Sequence, residues 1–391
     1  MPKNIVFCAD GTWSGDDKDP LDATAPTNVL KLFHDLAGTD TLETFSLSDE
    51  QERILHDATG GVTQVAKWIH GVGDSDNWLV KVVGGSVGAG LIKHVVRGYT
   101  FVSRWYEPGD RIHLVGFSRG AYTARALAGL IDARGLLDAS RMDLDDREEA
   151  YRAAASQWTA YRRARLRYDP LAIGKLEELL TLLPGFFDKP HEPAPLLPDV
   201  PVEVVAVWDT VGSMGIPVFD GHGANIDALR FTDARLSGHV KFGIQVIAID
   251  EQRGNFTPCL WQDDPRVTQW LFAGAHTDCG GGNPAAAGES GLSDISLGWM
   301  IDRLRTHGVL FLSPLAYQPA PDPRAPAHAP WRHAPWRYFP TAIRPCDRDG
   351  QFPAGLTLHP SVKERLAAAA VLPEVGGQPA PYAPANLAAY R

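Results

Sequence analysis

The sequence predicts an α/β protein whose mostly parallel sheet is covered by helices on both faces. Three observations carry this expectation. Short apolar runs with a β-branched bias recur along the chain, as in "NIVFCA" (4–9), "RIHLVGF" (111–117) and "VEVVAVWD" (202–209). Segments with helical apolar spacing lie between them, and turn or glycine clusters close several of the runs. Strands that alternate with helices pair in parallel and bury both faces of the sheet. Sites in such folds gather at the carboxyl ends of the strands.

Element by element, "NIVFCA" ends in the turn signal "DGTW", and "NVLKLFHDLA" (28–37) spaces Val29, Leu30, Phe33 and Leu36 as a helix. "VTQVAKWIHGVG" (62–73) alternates like a strand and breaks at glycine. "GGSVGAG" (84–90) reads as a flexible loop, with a helix over about Leu91–Tyr106 after it. Residues 138–200 form a helical, lid-like insertion. In it, "DDREEAYRAAASQWTAYRRARLRY" reads as an exposed charged helix and "IGKLEELLTLL" as a second, before a proline-broken connection. Strands resume at "VKFGIQVIAID" (240–250) and "TQWLFAGAH" (268–276), and 292–308 is an amphipathic helix. From 312 to 391 the chain is proline-rich, with fifteen of the thirty prolines from Pro314 onward. Such runs disfavour regular helix and sheet, so this segment is expected to lie packed on the body. The whole, 1–391, reads as a single domain.

Composition narrows the function. A net charge of −10 argues against a dedicated nucleic-acid binder. Cys8, Cys259, Cys279 and Cys346 are scattered without metal-type spacing, so no cofactor, zinc site or disulfide framework is expected. The first residues hold too short an apolar run for a signal peptide, and no stretch approaches a membrane span. The expectation is a cytoplasmic protein, compatible with export that needs no signal peptide.

The chemistry begins at "GFSRG". A strand precedes it and an Ala-rich helix follows, which is the setting of a nucleophile elbow with Ser118 at its tip. The plainer alternative is a tight turn whose serine caps the helix. A serine nucleophile needs a base and a group to orient it. His276 ends an apolar run and enters "GAHTDCGGG", whereas His307 closes a helix and His328, His333 and His359 lie in the proline-rich segment. The acid is Asp209 or Asp250, both at strand ends; an acid placed after the second strand past the nucleophile would favour Asp250, and periodicity does not choose between them. The backbone N–H of Arg119 supplies one oxyanion donor, and Asp10–Gly11–Thr12 offers the second at Thr12, unless it is a plain Asx-turn. Asp278 is too near His276 in sequence to orient it and is read as holding the loop.

Taken together, "FCADGTW", "PTNVLKL", "HGVG", "GGSVGAGL", "GFSRGAYTARALAGLI", "VWDTVG", "GAHTDCGGG", "LSDISLGWM", "LHPSV" and "PANL" resemble, in order and over nearly the whole chain, one family. That family is the α/β-hydrolases of the type VI secretion phospholipase effector class. The resemblance implies an α/β-hydrolase fold and a serine esterase or phospholipase with a Ser118–Asp209–His276 triad, and it selects Asp209 over Asp250. The sequence departs from the family pattern at Ala9, Cys279 and Asn283. The expected activity is cleavage of carboxylic esters, phospholipid acyl esters among them, with a lipid or small-molecule ester as partner and peripheral membrane contact. In the insertion, Leu179, Leu180, Leu182, Leu183, Phe186 and Phe187 offer either an acyl-chain wall or ordinary packing. Arg162, Arg163, Arg165 and Arg167 offer either phosphate contacts or a solvated face. Two other classes stay open: a metal-dependent hydrolase using Asp10, Asp209, His276 and Asp278, and a non-catalytic binding module on the same scaffold.

Overall fold

The computed structural model describes residues 2–11, 25–41, 50–71, 86–166, 193–211, 234–254, 256–285, 288–334, 336–344, 352 and 356–390. The chain begins with β1 (Asn4–Ala9), passes through α1 (Asn28–Asp35) and the strands β2 (Thr39–Asp40) and β3 (Glu50–His56), and returns as β4 (Val62–Ile69). Helix α2 (Ser86–Trp105) leads to β5 (Arg111–Phe117) and α3 (Arg119–Arg134). A small ribbon, β6 (Leu136–Leu137) with β7 (Leu196–Leu197), brackets α4 (Arg147–Leu166). Then come β8 (Val202–Trp208), β9 (Val240–Ala248), β10 (Val267–Phe272), α5 (His276–Gly280) and α6 (Gly291–Thr306). The C-terminal segment adds β11 (Leu356–Leu358) and α7 (Pro360–Ala367).

Nine strands form one sheet in the order β11-β10-β9-β8-β5-β1-β4-β3-β2. All pairs from β11 to β4 are parallel, and the pairs β4–β3 and β3–β2 at the far edge are antiparallel, so β3 alone runs against the rest. The parallel strands therefore send their carboxyl ends to one edge. Strand order reverses between β1 and β5, and the crevice outside such a reversal is where α/β sheets bind ligands.

Strand alternation fixes the two faces. Ile5, Phe7 and Ala9 of β1 enter a core with Val95 and Tyr99 of α2, Leu127 and Ile131 of α3, and Trp158 of α4. Val6 and Cys8 point the other way, into a core with Val29 and Phe33 of α1 and Leu297 and Met300 of α6. A third cluster joins Ile247, Ile249 and Leu271 to Phe352, Leu358, Val362 and Leu387 of the C-terminal segment.

Four expectations need correction. Residues 86–90 of the glycine-rich stretch belong to the start of α2, not to a loop. The apolar stripe of Leu91, Ile92, Val95, Val96 and Tyr99, all buried, outweighs the roughly 1 kcal/mol that a helical glycine costs. The charged helix of the insertion is not an exposed one. Ala150, Ala153, Ala154, Trp158 and Tyr161 of α4 are buried against the body, and Arg162 is fully buried beside the Trp158 ring, not on a solvated face. The proline-rich segment contains a sheet strand and an eight-residue helix, because "LTL" holds no proline and "PSVKERLA" carries its one proline, Pro360, at the first helical position, where it is tolerated. The last predicted strand stops at Phe272, four residues before His276. Residues 167–192, with the six apolar residues named above and Arg167, lie outside the described residues.

Candidate active site

Three strand ends converge on the crevice. At the end of β5, Ser118 sits at φ 57°, ψ −122°, a region that non-glycine residues rarely occupy. Its side chain makes no cap hydrogen bond to α3, so the capping alternative does not describe it. The turn is tight enough to demand its glycines. A Cβ on Gly116 would lie 2.4 Å from the Gly120 carbonyl oxygen, and one on Gly120 would lie 2.1 Å from that of Ala9. The second contact presses the elbow directly against the end of β1.

At the end of β8, Asp209 is also left-handed, at φ 37°, and fully buried. Beyond β10, His276 opens the short helix α5 and is 4% exposed. The structure brings these two together: Asp209 Oδ2 lies 2.5 Å from His276 Nδ1. The imidazole is held on its other sides by aromatic rings, with the Phe117 centroid at 4.5 Å and that of Phe256 edge-on at 5.1 Å. Phe117 is itself wedged in place, since a Cβ on Gly280 would come within 2.0 Å of its ring. The His276 N–H donates to Glu251 Oε2 at 3.2 Å, and Glu251 pairs with Arg253 at 2.8 Å.

Burial alone would raise the Asp209 carboxyl. The Arg344 charge and the His276 contact overrule it and hold the group well below the usual carboxylate range. Arg344 grips both oxygens, Nη1 to Oδ1 at 2.6 Å and Nη2 to Oδ2 at 3.0 Å, while the Ala248 N–H donates to Oδ1 at 3.0 Å. An ionised Asp209 requires Nδ1 to carry the His276 proton, which leaves Nε2 as the free acceptor. Burial pulls the imidazole's own pKa down, against the opposing pull of Asp209.

The other anticipated carboxylates are bonded to other groups. Asp250 accepts from the Gly274 N–H at 2.6 Å and from the Tyr382 hydroxyl at 2.8 Å. Asp10, at the end of β1, accepts from Gly11 N–H at 2.6 Å, Thr27 Oγ1 at 2.7 Å and Trp68 Nε1 at 2.9 Å. Burial nonetheless raises its pKa. Asp278 accepts from the Ala275 N–H at 2.8 Å, from Asn283 Nδ2 at 2.9 Å and from the His328 N–H at 2.9 Å, and its Oδ1 lies 2.6 Å from His328 Nδ1. Arg119 opens α3 beside the nucleophile, and Thr12 lies outside the described residues. Among the described residues, no three His, Cys, Asp or Glu side chains gather as a metal would need. The four named for a metal are each committed within the protein: Asp209 to the Arg344 guanidinium, His276 to Asp209, Asp10 to neutral donors, and Asp278 to neutral donors and His328.

Sequence reasoning did not single out Arg344, Glu251 or Phe256, and it set His328 aside as a base without finding its bond to Asp278. Arg344 stands in "TAIRPCD" and His328 in "PAHAP", with no periodicity or motif to mark either.

Comparison with known proteins adds the following. Residues 3–303 match the family described as T6SS, Phospholipase effector Tle1-like, catalytic domain. A yeast protein, Uncharacterized protein YEL023C of Saccharomyces cerevisiae, is 27% identical over 271 residues, which are 69% of this chain and 34% of that protein. An uncharacterized protein from Pseudomonas aeruginosa is 15% identical with a TM-score of 0.41, covering 80% of this chain and 46% of the other. The Tle1 effector, solved bound to the VgrG spike of the type 6 secretion system, is 17% identical with a TM-score of 0.37, covering 72% and 52%. The chain thus spans about a third of the yeast relative and about half of each solved structure. No described helix is long and apolar enough to cross a membrane. On the match over residues 3–303, the chain belongs to the family of Tle1-like type VI secretion phospholipase effector catalytic domains.

Proposed function

We propose that this chain is a serine hydrolase of the α/β-hydrolase type that cleaves carboxylic esters, with phospholipid acyl esters as the substrate class. One observation carries the reading: Asp209, gripped by the Arg344 guanidinium, joined to His276 Nδ1 at 2.5 Å, at the same sheet edge as a serine in a strained strand-to-helix turn. Ser118 Oγ attacks the ester carbonyl as His276 Nε2 takes its proton. The resulting oxyanion is met by the backbone N–H of Arg119 and by that of Thr12. The Gly11 N–H is already given to Asp10, which makes Asp10 a brace for this loop. The intermediate collapses, His276 returns the proton to the leaving alcohol, and water then removes the acyl group by the same route. The 138–200 insertion is the candidate lid, and the membrane surface is the place where a lipid substrate would be met.

The test is intact-protein mass after exposure to a fluorophosphonate. Wild type is expected to gain one adduct that Ser118→Ala does not gain and that His276→Ala gains far more slowly. Labelling that persists in Ser118→Ala overturns the reading. So does the absence of any adduct with and without detergent, the outcome expected of a binding module.

A further inference from the structure

The C-terminal segment, beyond the residues matched by the family, reaches back into the site through one side chain. Arg344 is 1% exposed and spends its guanidinium on four acceptors. Two are the Asp209 oxygens. The others are the carbonyls of Ala248, at the end of β9, at 3.0 Å and of Phe256 at 2.5 Å. Phe256 also packs edge-on against His276, so the same cation ties down both the acid and one wall of the base. Its own backbone is held as well: Asn386 Nδ2 donates to the Arg344 carbonyl at 2.8 Å and to that of Ile249 at 3.0 Å. Asn386 is buried next to Leu387, which belongs to the third apolar cluster.

The geometry points to Arg344 as a positioning residue for the hydrolytic reaction, one that holds Asp209 oriented toward His276 and balances its charge. This rests on the serine-hydrolase reading for its catalytic meaning, while the coupling of Arg344 to His276 stands on geometry alone. A bare buried carboxylate would stabilise the imidazolium strongly and make it reluctant to release its proton. With the bidentate cation in place, the acid acts as a net-neutral pair that still fixes the tautomer. The other charges that bear on His276 are Glu251 and Arg253, paired with each other. Asp278 and Asp250 lie nearby, one bonded to His328 and the other to Tyr382.

The test compares wild type, Arg344→Gln and Arg344→Lys in two ways, with folding checked by circular dichroism. The first is the NMR titration midpoint of the His276 ring. The second is the pH profile of kcat/KM on a short-chain ester. In Arg344→Gln the midpoint and the acidic limb should both move up by about one pH unit, the usual scale for losing a charge at this range. The fall should be in kcat, with KM nearly unchanged. Arg344→Lys should restore the midpoint but not the full kcat, because an ammonium lacks the fork. If Arg344→Gln does not fold, millimolar guanidinium added to folded Arg344→Ala should restore both quantities. An unmoved His276 midpoint in a folded Gln or Ala variant overturns the inference. A moved midpoint in a protein with no Ser118-dependent turnover would instead overturn the catalytic reading and leave the coupling intact.

Discussion

At the scale of single residues, the site depends on which of two similar carboxylates meets His276. Asp209 and Asp250 both end strands of the same sheet edge, yet only Asp209 is bonded to the imidazole. Replacing Asp209 with Asn should lower kcat by about 10⁴-fold, since an amide no longer holds the proton on Nδ1. The melting temperature should fall with it, because Arg344 loses its counter-charge. Asp250→Asn should leave kcat within a few-fold of wild type. Steady-state rates for the two variants side by side check both expectations, and equal losses would refute the assignment.

At the scale of elements, α1 and α6 are clamped together across the second core. Lys31 Nζ lies 3.0 Å from Asp294 Oδ1 with both side chains buried, and the Tyr317 ring lies 4.3 Å from the ammonium. Lys31→Met would strand the Asp294 charge beside its neutral donors, at a cost of about 3 kcal/mol. Urea unfolding would read this as a lower midpoint, and a stability within error of wild type would show the pair to be dispensable. The elements legible in the sequence are β1, β4, β5, β8, β9 and β10, with α1, α2, α3, α4 and α6. Strand β3 escaped notice because "EQERILH" buries Glu50 and Glu52, satisfied by Lys67 of the neighbouring strand and by Arg97 of α2. Strand β11 escaped because three residues among prolines carry no pattern. Ser118 and His276 were legible from the small residues that crowding requires around them. Arg344 was not, since a lone arginine bears no local mark of a partner 135 positions away.

At the scale of the whole molecule, the third cluster and its polar neighbours make the C-terminal segment part of the body. Asp250 stands at that seam, bonded to Gly274 and Tyr382, and burial pushes its carboxyl up from 3.8 to about 6. A raised carboxyl favours the folded state when protonated. That contribution is complete below about pH 4 and is lost as pH rises through about 6. Asp250→Asn keeps a neutral acceptor there at every pH. Its melting temperature relative to wild type should therefore climb between pH 4 and 6 and level off above about 7. Scanning calorimetry of both proteins across that range checks it, and a flat difference would contradict it.

The reach of Arg344 also sets an order of events in time. Ser118, Asp209 and His276 leave a translating ribosome well before Arg344, and before Asn386, which donates to the Arg344 carbonyl. If the proposed roles hold, a nascent chain carries its nucleophile, acid and base for tens of residues of synthesis without the cation that grips the acid. On that reading, a chain released before Arg344 is made would hold Ser118 beside an acid and base that nothing yet aligns.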